Sequence, residues 1–158
     1  MNFISITQYF NKLHSALLGL LIVPLLVFIA LYFFLNGSPP SPRNAYLIMI
    51  VSSAMLMDWW VAMLIFNKKI KSARNEQGLG RKLDKYFQIT IVRYSLFSSG
   101  SLIMALGLYL SRNDIFAGLY LAGLVVAGIL WPTGAKACSD LRLRGDEREM
   151  VYFKKDVF

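Results

Sequence analysis

A chain of 158 residues with 56% apolar and 16% charged side chains is too apolar for a soluble domain of its length, and its apolar residues are grouped into long runs that belong in lipid. The formal charge of +8 reflects membrane topology and not a nucleic-acid surface, because the basic residues collect between apolar runs and not among stacking aromatics. One cysteine, Cys138, and one histidine, His14, exclude an internal disulfide and any cysteine-only metal cage. The longest hydrophilic segment, 133–158, is shorter than the roughly 40 residues of the smallest independent soluble domains.

The segment 1–12 interleaves Phe3, Ile4, Ile6 and Phe10 with polar positions, the pattern of a short helix lying in the headgroup region or else of a frayed end. His14 follows at the membrane boundary and reads as an interfacial side chain. The first span covers about 15–35, near the 20 residues needed to cross the hydrocarbon layer. It is read as a span and not a cleavable signal, since it is long, lacks a small-residue cleavage pattern and is soon followed by another. Pro24 near its middle frees the Leu20 carbonyl and predicts a bend. The segment 36–44, with Gly37, Pro39, Pro40 and Pro42, forms a turn.

The second span, about 45–66, carries Asp58, Trp59 and Trp60 too deep for an ordinary aromatic belt. The loop 67–85 holds Lys68, Lys69, Lys71, Arg74, Arg81, Lys82 and Lys85 against Glu76 and Asp84. Gly78 and Gly80 divide it into two helical extensions. Lys68, Lys69, Lys71, Arg74, Arg81 and Lys82 are the expected anionic-lipid contacts, each worth about 1 kcal/mol near a charged leaflet.

The third span, about 86–110, is the most polar. Ser99, Gly100 and Ser101 mark a close helix contact, as do the pairs Gly118 with Ala122 and Gly123 with Ala127 in the fourth span, about 115–131. Pro132 ends that span, and the tail 133–158 mixes basic and apolar residues in a way that suits short helices against the membrane. Cys138 reads as an unreactive thiol. The N-terminus, central loop and tail contain 14 of the 17 basic residues, which places both termini in the cytoplasm by the positive-inside rule.

Asp58 and Arg93 are the two charges that fall well inside apolar segments. Asp58 precedes Asn67 by nine residues and Arg93 follows Lys85 by eight, so both lie about 12 to 14 Å from the inner helix ends. A charge at mid-helix costs about 2.5 to 3.5 kcal/mol on insertion scales, which predicts an Asp58–Arg93 ion pair facing the bundle interior. Thr90, Ser95 and Ser98 extend it as a polar track. The pair reads either as a structural device setting helix register or as part of an ion pathway. An arginine beside the carboxylate lowers its pKa and makes it a poor proton carrier. No nucleophile with a base, no phosphate-binding glycine loop and no metal-ligand cluster stands out, so neither catalysis nor a cofactor is expected.

From KLDKY at 82–86 through IVRYSLF at 91–97 and WPTGAKACSDLRL at 131–143, the chain resembles a family of small bacterial four-helix membrane proteins. The resemblance implies two helical hairpins with cytoplasmic ends, an arrangement similar to the doubled proteolipid of rotary ATPases. Ser98 stands where similar proteins often carry a glutamate, and the fourth span lacks the proteolipids' ion-binding carboxylate. LYFFLN at 31–36 echoes LYLSRN at 108–113.

The expected fold is all-α, with four transmembrane helices as two up-down hairpins in a bacterial inner membrane and short cytoplasmic tail helices. The expected function is that of an accessory or scaffold subunit of a larger membrane assembly. The alternative is a small oligomeric channel or transporter using Asp58 and Arg93. The lipid bilayer and either a membrane-protein partner or a second copy are the expected contacts.

Overall fold

The computed structural model describes residues 5–35 and 44–154. These residues contain six helices and no strand: α1 (Ile6–Leu35), α2 (Asn44–Arg74), α3 (Leu79–Ser111), α4 (Ile115–Ile129), α5 (Gly134–Leu141) and α6 (Gly145–Phe153). Helices α1 to α3 are long and apolar enough to cross a membrane, and α4 with α5 supplies a fourth candidate interrupted by a break. The turn expected at 36–44 lies outside the described residues except for Asn44, which opens α2.

Residues 6–12, expected as a separate interfacial helix or a frayed end, are instead the opening turns of α1. The Ser5 hydroxyl oxygen accepts from the Gln8 N–H at 3.0 Å, capping the helix, and nothing between Ile6 and Ser15 breaks it. The helix then runs through Pro24. The basic loop is helical except for 75–78, where Gly78 takes φ +88°, a left-handed conformation that glycine adopts without steric penalty. Helix α3 is reversed by Arg112 (φ 52°), whose N–H donates to the Leu108 carbonyl at 2.8 Å. Asn113 Oδ1 then accepts from the Ile115 N–H at 3.0 Å.

Helix α4 ends at Ile129, two residues short of the expected limit, because Pro132 has no N–H with which to continue the ladder. The Thr133 hydroxyl oxygen accepts from the Lys136 N–H at 3.2 Å and starts α5. Arg142 (φ 54°) closes α5, and the Leu143 N–H returns to the Cys138 carbonyl at 3.0 Å.

The described chain divides into two compact units, the first containing 5–18, 63–93 and 131–154 and the second containing 19–35, 44–62 and 94–130. The first is packed around Phe10, Leu13, Leu17, Phe66, Leu141 and Val151, all buried. The core of the second includes Phe28, Met55, Met104, Leu108, Phe116 and Tyr120, with the Phe28 and Tyr120 rings stacked at 4.2 Å.

Glycines set the closest approaches in the second unit. A Cβ on Gly107 would stand 2.6 Å from Phe116 and 2.7 Å from Val51. The indole of Trp59 lies against Gly100 and Gly123 together, 2.8 Å and 2.7 Å from where their Cβ atoms would be. Gly118 meets nothing within 4 Å. Gly100→Ala should therefore destabilise the protein in detergent by about 1 to 3 kcal/mol through overpacking. Gly118→Ala should be neutral or stabilising by up to about 1 kcal/mol. Thermal unfolding of the two variants side by side checks the contrast.

Candidate functional site

Asp58 lies on α2 in the second unit and is half-buried. The Ser99 hydroxyl is 2.9 Å from Asp58 Oδ2 and 2.8 Å from its own helix's Leu96 carbonyl, with one proton to share between them. Arg93 lies on α3 in the first unit at 2% exposure, its guanidinium carbon 4.0 Å from the centroid of the Phe66 ring. That geometry places the cation over the negative face of the ring. The two expected ion-pair partners thus belong to different units and each has a contact within its own.

The expected polar track does not follow one face of α3. Thr90 is fully buried, Ser98 half-buried and Ser95 exposed. Five positions along a helix turn the side chain by about 140°, so Thr90 and Ser95 point in different directions.

The small residues separate into two groups. Gly100 and Gly123 seat Trp59, and Ala127 is buried. The Tyr94 hydroxyl donates to the Ala127 carbonyl at 2.8 Å, one of the four carbonyls that the end of α4 leaves without a helical partner. Ser101 donates back to the Phe97 carbonyl of its own helix at 2.9 Å. Gly118, Ala122 and Ser99, in contrast, are exposed.

The basic residues also divide. Lys68, Lys69, Lys71 and Arg81 are exposed. Arg74 Nε donates to the Asp140 carbonyl at 2.6 Å, and Lys82 Nζ meets Glu147 at 2.6 Å. The Tyr86 hydroxyl donates to Asp140 Oδ2 at 3.1 Å, while His14 Nε2 donates to the Pro132 carbonyl at 2.9 Å. Asp140 and Glu147 therefore bind the tail to α2 and α3 within the first unit. Lys85 is hydrogen-bonded to Glu76. That bond and the Lys85 charge hold the Glu76 carboxyl below its usual range. Cys138 is buried.

Among the described residues no group of three or more His, Cys, Asp or Glu side chains could hold a metal ion. Sequence reasoning missed the seating role of Trp59, Gly107 and the tail's attachments. Gly107 did leave a signal, since it lies seven residues after Gly100 and so on nearly the same helix face.

Tyr86→Phe removes the hydroxyl from Asp140 and should lower stability by about 1 to 2 kcal/mol, whereas Tyr46→Phe at an exposed position should change nothing; chemical denaturation of both variants checks this. The depressed Glu76 carboxyl stabilises the fold above its unfolded pKa, and that contribution disappears as pH falls through the folded pKa. Glu76→Gln should consequently flatten the acid limb of a melting-temperature profile and leave the response above pH of about 7 unchanged.

Comparison with family models, with curated proteins and with solved structures found no match. The resemblance drawn from 82–97 and 131–143 stands on those residues alone.

Proposed function

We propose that the chain is a non-catalytic integral protein of a bacterial inner membrane, with four spans, both termini in the cytoplasm, and the role of an accessory or scaffold subunit. The observation that carries this reading is the division of α4's small residues. Gly123 and Ala127 are used within the second unit, whereas Gly118 and Ala122 are exposed. In lipid, where apolar surface alone provides no drive for helix association, a small-residue face lets another helix approach closely. Large apolar side chains such as Leu26, Phe33, Met49, Trp60 and Leu121 are exposed too, which suits lipid contact and not water.

A second reading, a small oligomeric channel or transporter, is favoured by one observation. Asp58 is half-buried and hydrogen-bonded to an exposed serine, so a carboxylate within an apolar helix has a polar route toward its surface.

Extraction of the tagged protein from its native membrane in a mild detergent, followed by measurement of mass and composition, separates the two readings. A stoichiometric partner, lost in Gly118→Leu or Ala122→Leu, is the result expected of a scaffold. A homogeneous homo-oligomer without partners, conducting in liposomes and silenced by Asp58→Asn, would replace that reading with the channel.

Asp58→Asn retains an oxygen that can accept from Ser99, so it isolates the carboxylate charge. A lowered melting temperature would give that charge a structural role, and an unchanged one would leave Asp58 acting through Ser99 alone.

A further inference from the structure

The groove between α5 and α6 has a composition that the proposed function leaves unused. Its volume is about 600 Å³, and its lining contains Cys138, Ser139, Arg142, Arg144, Arg148 and Tyr152 but no carboxylate. Local backbone geometry explains why three arginines meet there. Arg142 closes α5 in the left-handed conformation, and Arg144 precedes α6 with an extended backbone. The residue between them, Leu143, is buried, while Arg142 and Arg144 are exposed. Arg148 and Tyr152 follow Arg144 at four-residue steps and continue the same face of α6.

All three arginines are exposed, and among the described residues none has an ion pair or a side-chain hydrogen bond. The nearby Glu147 is already paired with Lys82. Glu149 borders a different groove, which shares Arg148 and Tyr152. Three guanidinium groups lining one groove repel one another, and an anion relieves that repulsion. Their planar donor forks match the oxygens of a phosphate group. A volume of this size lies within the usual range for small-ligand sites. The groove is lined by exposed Tyr152, with exposed Phe153 next in sequence, aromatic side chains suited to the membrane interface.

We propose that Arg142, Arg144 and Arg148 form a binding site for the phosphate of an anionic lipid headgroup, with Tyr152 and Phe153 against the interface. The assignment to lipid rests on the membrane reading above; the affinity for phosphate rests on the groove itself. This site is distinct from the exposed lysines of the α2–α3 segment, none of which lines it.

The test is thermal stability of the full chain in non-ionic detergent, titrated with dihexanoyl phosphatidylglycerol, dihexanoyl phosphatidylcholine or inorganic phosphate. Phosphatidylglycerol should stabilise the wild-type chain where phosphatidylcholine does not. Arg142→Gln/Arg148→Gln should need about tenfold more of it, from the loss of charge-assisted hydrogen bonds. Arg148→Gln alone, at an exposed helical position, should give a smaller shift and serves if the double variant fails to fold. Lys68→Gln/Lys69→Gln should follow the wild type. Arginine variants that titrate like the wild type, or a response abolished by the lysine variant alone, would overturn the site. Stabilisation by inorganic phosphate at the same concentration as phosphatidylglycerol would overturn the headgroup assignment. Carbonate extraction of the same protein tests the membrane reading separately: release from the membrane overturns that reading and the headgroup assignment with it, whatever the phosphate titration gives for the groove.

Discussion

Trp59 can lie where it does only because two helices present no side chain to it. Gly100 on α3 and Gly123 on α4 both come within 3 Å, measured from the Cβ positions they lack, of the same indole. One α2 side chain therefore fixes the separation of three helices in the second unit, and neighbouring residues take their positions from it. Asp58, one residue earlier, has an oxygen 3.1 Å from the missing Gly100 Cβ and accepts from Ser99. Close backbone approach and an interhelical hydroxyl bond are two means by which helices associate where lipid removes the hydrophobic drive.

The first unit is held by different chemistry. The carbonyl and carboxylate of Asp140 take Arg74 and Tyr86, Glu147 takes Lys82, and His14 satisfies a carbonyl in the break before α5. Every one of these contacts joins residues far apart in sequence, so the tail helices contribute to the fold and are not an appendage. The break at Pro132 leaves carbonyls that a continuous helix would have satisfied internally. Tyr94 and His14 each satisfy one within its own unit. Arg74 and Lys82, expected as anionic-lipid contacts, each bond to the tail, while Arg142, Arg144 and Arg148 are exposed.

Long apolar runs made the helices legible from sequence, and Gly78 marked the interruption of the basic loop, because backbone satisfaction in lipid leaves little alternative to helix. Boundaries were less legible. A capping serine at position 5 extends α1 across a segment whose amphipathic pattern suggested a separate helix, and Pro132 ends α4 before its apolar composition does. At the candidate site, four-residue spacing identified Gly118 with Ala122 and Gly123 with Ala127 equally, yet one pair is exposed while Gly123 and Ala127 face protein. Spacing gives a shared helix face and not what lies opposite it. The depth argument for Asp58 and Arg93 likewise gives a level along the helix and no azimuth. The arginine groove was not legible at all, since it depends on a left-handed turn at Arg142 that brings together residues from two short helices.

The number of crossings turns on α4, which has 15 residues. Single cysteines introduced as Lys69→Cys, Arg112→Cys and Lys154→Cys in a Cys138→Ser background, labelled in intact cells with a membrane-impermeant maleimide, decide it. Four spans predict labelling at position 112 alone, with 69 and 154 reached only after permeabilisation. Labelling of 112 and 154 together from outside would mean that α4 does not cross, and would contradict the four-span topology on which the scaffold reading and the lipid site both depend.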